Sequence, residues 1–478
     1  MWQSTFMISG YILCILGLVM LVPAGIDISE TSKLGTPFII SSIVTMFFGI
    51  ALFLSNYTKI ERITLKQGFL ITGMSWLVVC LFSAVPFVLH HSVPSITDAL
   101  FEATSGITGT GATIMTDIES LPHSVLLWRS LLNYIGGLGV VIFAVALLPF
   151  LGIGGMQIFQ HENSDSNDKF MPKFSYIAKR IVFVYLALTG VASGTLFLCG
   201  MGWFDAINHA MSAIGTGGFS TKNASVGAFN SGLIDTAIIA FMICGALPMT
   251  FYILLWRRME ADRNQQVAVF IKTLGWLSLI FCSYLYFVSD QSLLESVRYG
   301  IFTVVSIVTT TGLSAVDYTQ WGGWTIAAIL FLSMIGGCTG STGGSIKMLR
   351  WQVVYAFLRK YIISAIDPYR VVPLKIGSTN MSEKVTMSVF VYMFSFVACL
   401  VCLTLIVSAC GIDFKTAIAC VSACITNVGL GAVDVIGPSG NYAFFDDEIK
   451  AILCFAMLLG RLEIITILVL LSKSFWRS

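Results

Sequence analysis

Charge is what this chain has least of. Only 11% of its 478 residues are charged, whereas 56% are hydrophobic, and mean hydropathy is +0.87. That balance excludes a soluble protein with a water-facing surface and reads as an all-α polytopic membrane protein. Histidine is scarce, five in all. The twelve cysteines are scattered, mostly through apolar runs; Cys399 and Cys402 have CxxC spacing, but no second pair or histidine cluster completes a metal site, so they read as small apolar packing residues. No Ser/His/Asp set, metal-ligand spacing or phosphate loop supports an enzyme. The longest polar loops, about 157–177 and 359–385, lack strand and helix alternation, so no soluble nucleotide-binding domain is expected. A net charge of +2 by itself argues nothing about nucleic-acid or acidic partners, and no nucleic-acid partner is expected. Met1-Trp2-Gln3-Ser4 lacks the basic start of a cleavable signal, and the run that follows has the length of a span.

What is abundant is apolar sequence in span-length runs. A bilayer core needs about 20 apolar residues per helix. Runs of that kind fall at about 6–22, 37–54, 68–89, 125–151, 178–200, 232–256, 268–289, 324–358, 386–410 and 449–472, which predicts ten spans. Between the third and fourth, fifth and sixth, seventh and eighth, and ninth and tenth lies a shorter amphipathic stretch. Each is too short to cross and has the character of a re-entrant half-helix. Basic residues divide by side. Lys66, Lys173, Lys179, Arg180, Lys272, Arg350, Arg359, Lys360, Arg370, Lys375, Lys384, Lys473 and Arg477 fall on one side, with Lys59, Arg62, Lys169, Arg257, Arg258 and Arg263; Lys33, Arg129, Lys222, Arg298, Lys415 and Lys450 fall on the other. The positive-inside rule then makes both termini cytoplasmic and brings all four half-helices in from outside.

Each half-helix ends on a glycine motif, and the four motifs align. Thr309-Thr310-Thr311-Gly312-Leu313-Ser314-Ala315-Val316-Asp317 is nearly repeated as Thr426-Asn427-Val428-Gly429-Leu430-Gly431-Ala432-Val433-Asp434. Thr108-Gly109-Thr110-Gly111 and Gly215-Thr216-Gly217-Gly218 are more degraded copies. Six residues before the aligned glycine stand Ser105, Ser212, Ser306 and Ala423, so the match is a repeat rather than a chance of small residues. The chain parses as a two-helix hairpin, 1–60, and four span/half-helix/segment/span units at 61–155, 156–262, 263–365 and 366–478.

Glycine-rich backbone inside hydrocarbon must be buried in protein or line a polar path, because its carbonyls are otherwise unsatisfied. Four such segments can meet around one axis in a pseudo-fourfold arrangement, their carbonyls replacing the hydration shell of a cation. Half-helix C-termini directed at that axis add partial negative charge. Asp117, Asp317 and Asp434 lie where they would either concentrate cations at the outer mouth or simply sit in solvated loops.

These repeated segments resemble those of the Trk/Ktr/HKT superfamily of potassium transporters, most closely its bacterial TrkH-type membrane subunits, over nearly the whole chain. The resemblance implies a selectivity filter that binds and passes K+ at Thr108, Gly109, Thr110 and Gly111; Gly215, Thr216, Gly217 and Gly218; Thr309, Thr310, Thr311 and Gly312; and Thr426, Asn427, Val428 and Gly429. Sodium-favouring relatives often carry serine at the first of the four glycines, so Gly111 points to potassium. The run Gly336, Gly337, Gly340, Ser341, Thr342, Gly343, Gly344 to Lys347, too rich in small residues to stay helical in lipid, resembles the intramembrane loop that gates the pore. A packing kink is the alternative. Arg461, deep in the last span where a charge is costly, matches an arginine that projects into the path beneath the filter. A structural pairing is its alternative, with Glu463 a poor partner on another helix face. The family further implies a homodimer in the bacterial inner membrane, a cytosolic RCK-type nucleotide-binding subunit and no covalent cofactor. Arg350, Arg359 and Lys360 suit such docking or membrane lipid equally. A coupled cation/proton symporter is the competing function, but the spans offer no strong proton-carrying carboxylate. Glu102 and Asp205 either hold the filter or make ordinary polar contacts, His209 either tunes it or packs, and Gly136-Gly137-x-Gly139 reads as a packing surface.

Overall fold

The computed structural model describes residues 2–31, 36–58, 64–151, 170–256, 265–289, 291–376 and 379–477. Lys33, Lys59, Arg62, Lys169, Arg257, Arg258 and Arg263 of the charge pattern, His161 and most of the 157–177 loop lie outside the described residues. The chain opens with α1 (Trp2–Val19), α2 (Leu21–Thr31) and α3 (Thr36–Ser55). Residues Trp2–Glu30 form one apolar stretch long enough to span, longer than the run at 6–22 suggests. α1 packs against α3 through Gly10, Gly17 and Gly49; a Cβ on Gly10 would lie 2.7 Å from the Gly49 carbonyl oxygen, so small residues set this close crossing.

Four units of like order follow. The first is α4 (Leu65–Leu89), α5 (Ile96–Thr108) and α6 (His123–Leu151); the second α7 (Phe170–Leu198), α8 (Trp203–Gly215), α9 (Gly232–Ala246) and α10 (Met249–Trp256). The third is α11 (Gln265–Val288), α12 (Leu293–Val308), α13 (Gly323–Ser333) and α14 (Met348–Ile366). The fourth is α15 (Glu383–Ala409), α16 (Phe414–Ile425), α17 (Asp447–Arg461), α18 (Ile465–Leu471) and α19 (Lys473–Arg477). Among the described residues, the only ladder is the antiparallel pair Lys375–Ile376 and Thr379–Asn380. The half-helices α5, α8, α12 and α16 hold 12 to 16 residues, about 18–24 Å of helix, short of the roughly 30 Å hydrocarbon core. Side-chain caps at Ser95, Ser292 and Asp413 start three of them.

Seven described helices are long and apolar enough to cross a membrane, or nine if each bent pair counts as one span. Two of the runs read as single spans are sharply bent. The run 232–256 turns by 94° between α9 and α10, and the run 449–472 by 115° between α17 and α18. Pro248 has no N–H to continue the first, and Glu463 breaks the second with φ +55°. The run 324–358 is split into α13 and α14 by the Gly/Ser/Thr stretch. Arg129 and Lys450, counted among the cations of the outer side, are buried, each against an acid on the first half-helix: Arg129 Nε lies 2.8 Å from Glu102 and Lys450 Nζ 2.6 Å from Asp98.

Candidate functional site

Each half-helix ends in the same hydrogen-bonded turn. Thr110, Gly217, Thr311 and Val428 donate their N–H groups back to the carbonyls of Ser105, Ser212, Ser306 and Ala423 at 2.9–3.0 Å. The residues before them, Gly109, Thr216, Thr310 and Asn427, donate to Gly106, Ala213, Ile307 and Cys424 at 3.0–3.3 Å. This paired pattern is the Schellman motif, which needs a left-handed residue at its turn. Gly109 (φ +62°), Thr216 (+48°), Thr310 (+58°) and Asn427 (+56°) supply it. Glycine and asparagine accept that conformation; a β-branched threonine there is strained by about 1–3 kcal/mol. Two positions on, Gly111, Gly218, Gly312 and Gly429 are again left-handed, at +75° to +81°.

The four segments close into a ring. A Cβ built on Gly111 would lie 2.5 Å from the Gly217 carbonyl oxygen, on Gly218 2.3 Å from Thr311 O, on Gly312 2.0 Å from Val428 O, and on Gly429 2.2 Å from Thr110 O. Each glycine therefore abuts the carbonyl of the next segment in order, and the fourth returns to the first. A side chain at any of these positions would meet backbone at positive φ, so the neighbouring segment would have to shift to admit it. Immediately outside Gly111, Gly218 and Gly312 lies a cavity of about 110 Å³, shared with Thr113, Ser220 and Ser314. Asp117, Asp317 and Asp434 do not line it: Asp117 accepts from Asn223 Nδ2 at 3.0 Å, Asp317 caps its own turn through Thr319, and Asp434 is exposed.

On the opposite side of the ring lies the 336–347 loop. Its residues enter the break between α9 and α10: Cys338 N donates to Ala246 O at 2.9 Å, and Gly340 O accepts from Met249 N at 3.1 Å. Thr342 Oγ1 lies 3.0 Å from both Ile214 O and Gly245 O and 3.1 Å from Thr216 Oγ1. Gly344 N donates to Thr310 Oγ1 at 2.8 Å. The loop thus grips the two strained threonines. A Cβ on Gly343 would meet Thr309 O at 3.2 Å, and one on Gly344 the Asn427 side chain at 3.0 Å. Gly336, Gly340, Ser345 and Lys347 all have positive φ, while Gly337 packs on Ala246 and Ser341 closes a turn onto Cys338 O.

Arg461 completes this inner face. It is 3% exposed; its Nη1 donates to Thr342 O at 2.9 Å, and a Cβ on Gly109 would lie 3.2 Å from its Nη2. Its Nε and Nη2 have no hydrogen-bond partner, and among the described residues no acid pairs with it. Glu463 is engaged elsewhere: Lys347 Nζ reaches it at 3.2 Å and Arg350 Nη2 binds its other oxygen. The left-handed break at Glu463 carries that carboxylate away from Arg461.

Behind the ring, Glu102 accepts from Ile114 N at 3.0 Å, Thr113 Oγ1 at 3.0 Å and Arg129 Nε. Arg129 also donates to Ser220 O at 3.0 Å and covers the Phe219 ring, so one buried pair joins the segments that follow Gly111 and Gly218. His209 Nε2 lies 2.9 Å from Ser220 Oγ, and Asp205 accepts from Thr221 Oγ1 at 2.6 Å. Gly136 and Gly137 press α6 against the ends of α5 and α8, where Cβ atoms would lie 1.9 Å from Ile107 O and 2.9 Å from Gly215 O. Arg129 had no role at the site in the sequence reading, and Asn133, which fills the space beside Gly217, was not singled out. A polar pair within an apolar run was the available signal.

A family model described as "TrkH, Cation transport protein" matches residues 34–478. The chain is 39% identical over 416 residues to the Trk system potassium uptake protein TrkI of Halomonas elongata, covering 86% of this chain and 84% of that protein. It is 33% identical to the Trk system potassium uptake protein TrkH of the same organism, over 98% of both. The crystal structure of the potassium transporter TrkH from Vibrio parahaemolyticus superposes with TM-score 0.92 at 30% identity, over 100% of both chains. With its helical fold matched from end to end, the chain belongs to the TrkH family of cation transport proteins.

Proposed function

We propose that the ring is a potassium selectivity filter and that the chain takes up potassium by conduction along its axis. The closed sequence of glycine against carbonyl, from Gly111 through Gly218 and Gly312 to Gly429, carries this reading. Alternating left-handed residues turn successive carbonyls to one side, where they replace water around a dehydrated monovalent ion. The inner loop from Gly336 to Lys347 is the gate and Arg461 its electrostatic partner: an unpaired guanidinium beneath the ring repels cations until the loop and arginine move apart. Passive conduction is favoured over proton coupling because the buried carboxylates Asp98, Glu102 and Asp235 and the half-buried Glu463 each hold an ion pair, and buried Asp27 lies 3.7 Å from His90.

The named relatives belong to Trk systems, and this supports assembly with further components. We assign the chain to a bacterial inner membrane with both termini cytoplasmic, as a homodimer that docks a cytosolic RCK-type nucleotide-binding subunit. Purified chain in liposomes tests the central claim. Potassium and rubidium influx should exceed sodium influx, driven by voltage with no pH gradient. Equal flux of all three ions would refute selectivity at the ring, and flux that follows a pH gradient at zero voltage would refute passive conduction.

A further inference from the structure

Away from the ring, a cavity of about 760 Å³ lies between α11 and α14 and is walled at one end by residues 370–376. Its cations gather at one end of the lining, interleaved there with Ile363, Val371, Val372, Pro373 and Ile376. On α14 the same helix face presents Met348 and Trp351, then Gln352, then Arg359 and Lys360, a run of about 18 Å at 1.5 Å per residue. From α11 come Leu277, Thr273, Val269 and Gln265, apolar and polar in alternation, with a polar amide toward the basic end. Arg370 and Lys375 close the polar end. No lining residue is acidic, and among the described residues these four cations make no ion pair. Between the apolar and basic ends, Gln352 has both amide atoms buried and without a hydrogen-bond partner. An unsatisfied amide is costly in such surroundings, so this position is built to receive a polar group that the chain does not provide.

From this order of chemistry we infer that the cavity binds an anionic phospholipid from the leaflet facing the basic end. Its acyl chain lies against Leu277, Phe331 and Met348, its ester region meets the Gln352 amide, and its phosphate rests among Arg359, Lys360, Arg370 and Lys375. Basic pockets between helices at a membrane edge favour anionic headgroups, and each cation adds to the attraction. The inference goes beyond ion conduction and stands whether or not the ring selects potassium.

Native mass spectrometry of the full chain with added phosphatidylglycerol or phosphatidylcholine tests it. Wild-type protein should hold phosphatidylglycerol in preference to phosphatidylcholine. The combined variant Arg359→Gln/Lys360→Gln/Arg370→Gln/Lys375→Gln should lose that adduct at least five-fold with an unchanged gel-filtration profile. Thr273→Trp, which fills the groove and keeps every charge, should lose it as well, guarding against a loss due only to misfolding of the charge variant. Equal adducts in wild type and both variants would overturn the inference, as would full competition by inorganic phosphate, which would leave only an anion site. Photo-cross-linking from p-benzoylphenylalanine in place of Tyr355 should label lipid; a cross-link to a second copy of the chain instead would make this face a subunit interface and overturn the lipid assignment.

Discussion

The side-chain nitrogen of Asn427 donates to the hydroxyl of Thr110 at 3.0 Å, joining the fourth ring segment to the first across 317 residues of sequence. The same nitrogen reaches Met457 O at 3.0 Å, so one carboxamide ties the ring closure to the helix behind it. Asparagine suits the position twice over: it tolerates the left-handed turn and offers two donor hydrogens. Asn427→Gly keeps the turn and removes the ties. Loss of one such bond is worth about 1 kcal/mol, and the rubidium-to-sodium flux ratio in liposomes should fall by up to about five-fold. An unchanged ratio would remove Asn427 from the closure.

Gly312→Ala should abolish rubidium influx. Its Cβ would sit 2.0 Å from Val428 O at φ +75°, a clash with backbone that no rotamer relieves. Gly111→Ser, with 2.5 Å to Gly217 O, should lower the potassium preference and the flux together. Gly275→Ala on α11 meets nothing within 4 Å and should leave flux intact while stabilising the helix by about 0.5–1 kcal/mol. Similar flux in all three variants would show that the ring glycines are not under steric constraint.

The Glu102–Arg129 pair is 0% and 1% exposed. Removing one partner strands the other's charge, which costs about 3–5 kcal/mol, so Arg129→Gln should markedly lower the unfolding temperature in detergent. Glu102→Gln keeps one accepting oxygen but leaves the buried guanidinium without its counter-charge, and it loosens the tie between the segments after Gly111 and Gly218. Its expected signature is a reduced rubidium-to-sodium ratio in folded protein. Lower stability with an unaltered ratio would leave the pair a structural role alone.

For the inner face, Arg461→Gln should raise cation influx several-fold, because it removes the unpaired charge next to Gly109 while conserving bulk. Deleting part of Gly340 to Gly344 should raise it too. Thr342→Ala separates the gate from the frame: it frees the loop but also withdraws the contact from strained Thr216, so influx should rise while thermal stability falls. Flux identical to wild type in folded Arg461→Gln and in the loop deletion would end the gating assignment.

Composition alone decided that the chain lives in a membrane, since a surface with so few charges cannot be hydrated. The repeat was equally legible, and in the structure the residues six places before each glycine supply the carbonyls of the Schellman turns, a backbone role that does not by itself select small side chains. What remained unreadable were relations between distant residues. Two runs of span length, 232–256 and 449–472, looked continuous because hydropathy carries no information about bending, whereas Pro248 and Glu463 interrupt them; the break at the 336–347 loop was legible in its Gly, Ser and Thr content. The burial of Arg129 against Glu102 and of Lys450 against Asp98 was not legible, because a sequence does not say which carboxylate a cation will meet in the fold. The order of the ring, with Thr110 facing Gly429, and the loop holding Thr216 and Thr310 in a conformation they would not choose, belong to tertiary packing: local propensity opposes those two turns, and only contacts from elsewhere in the chain overcome it.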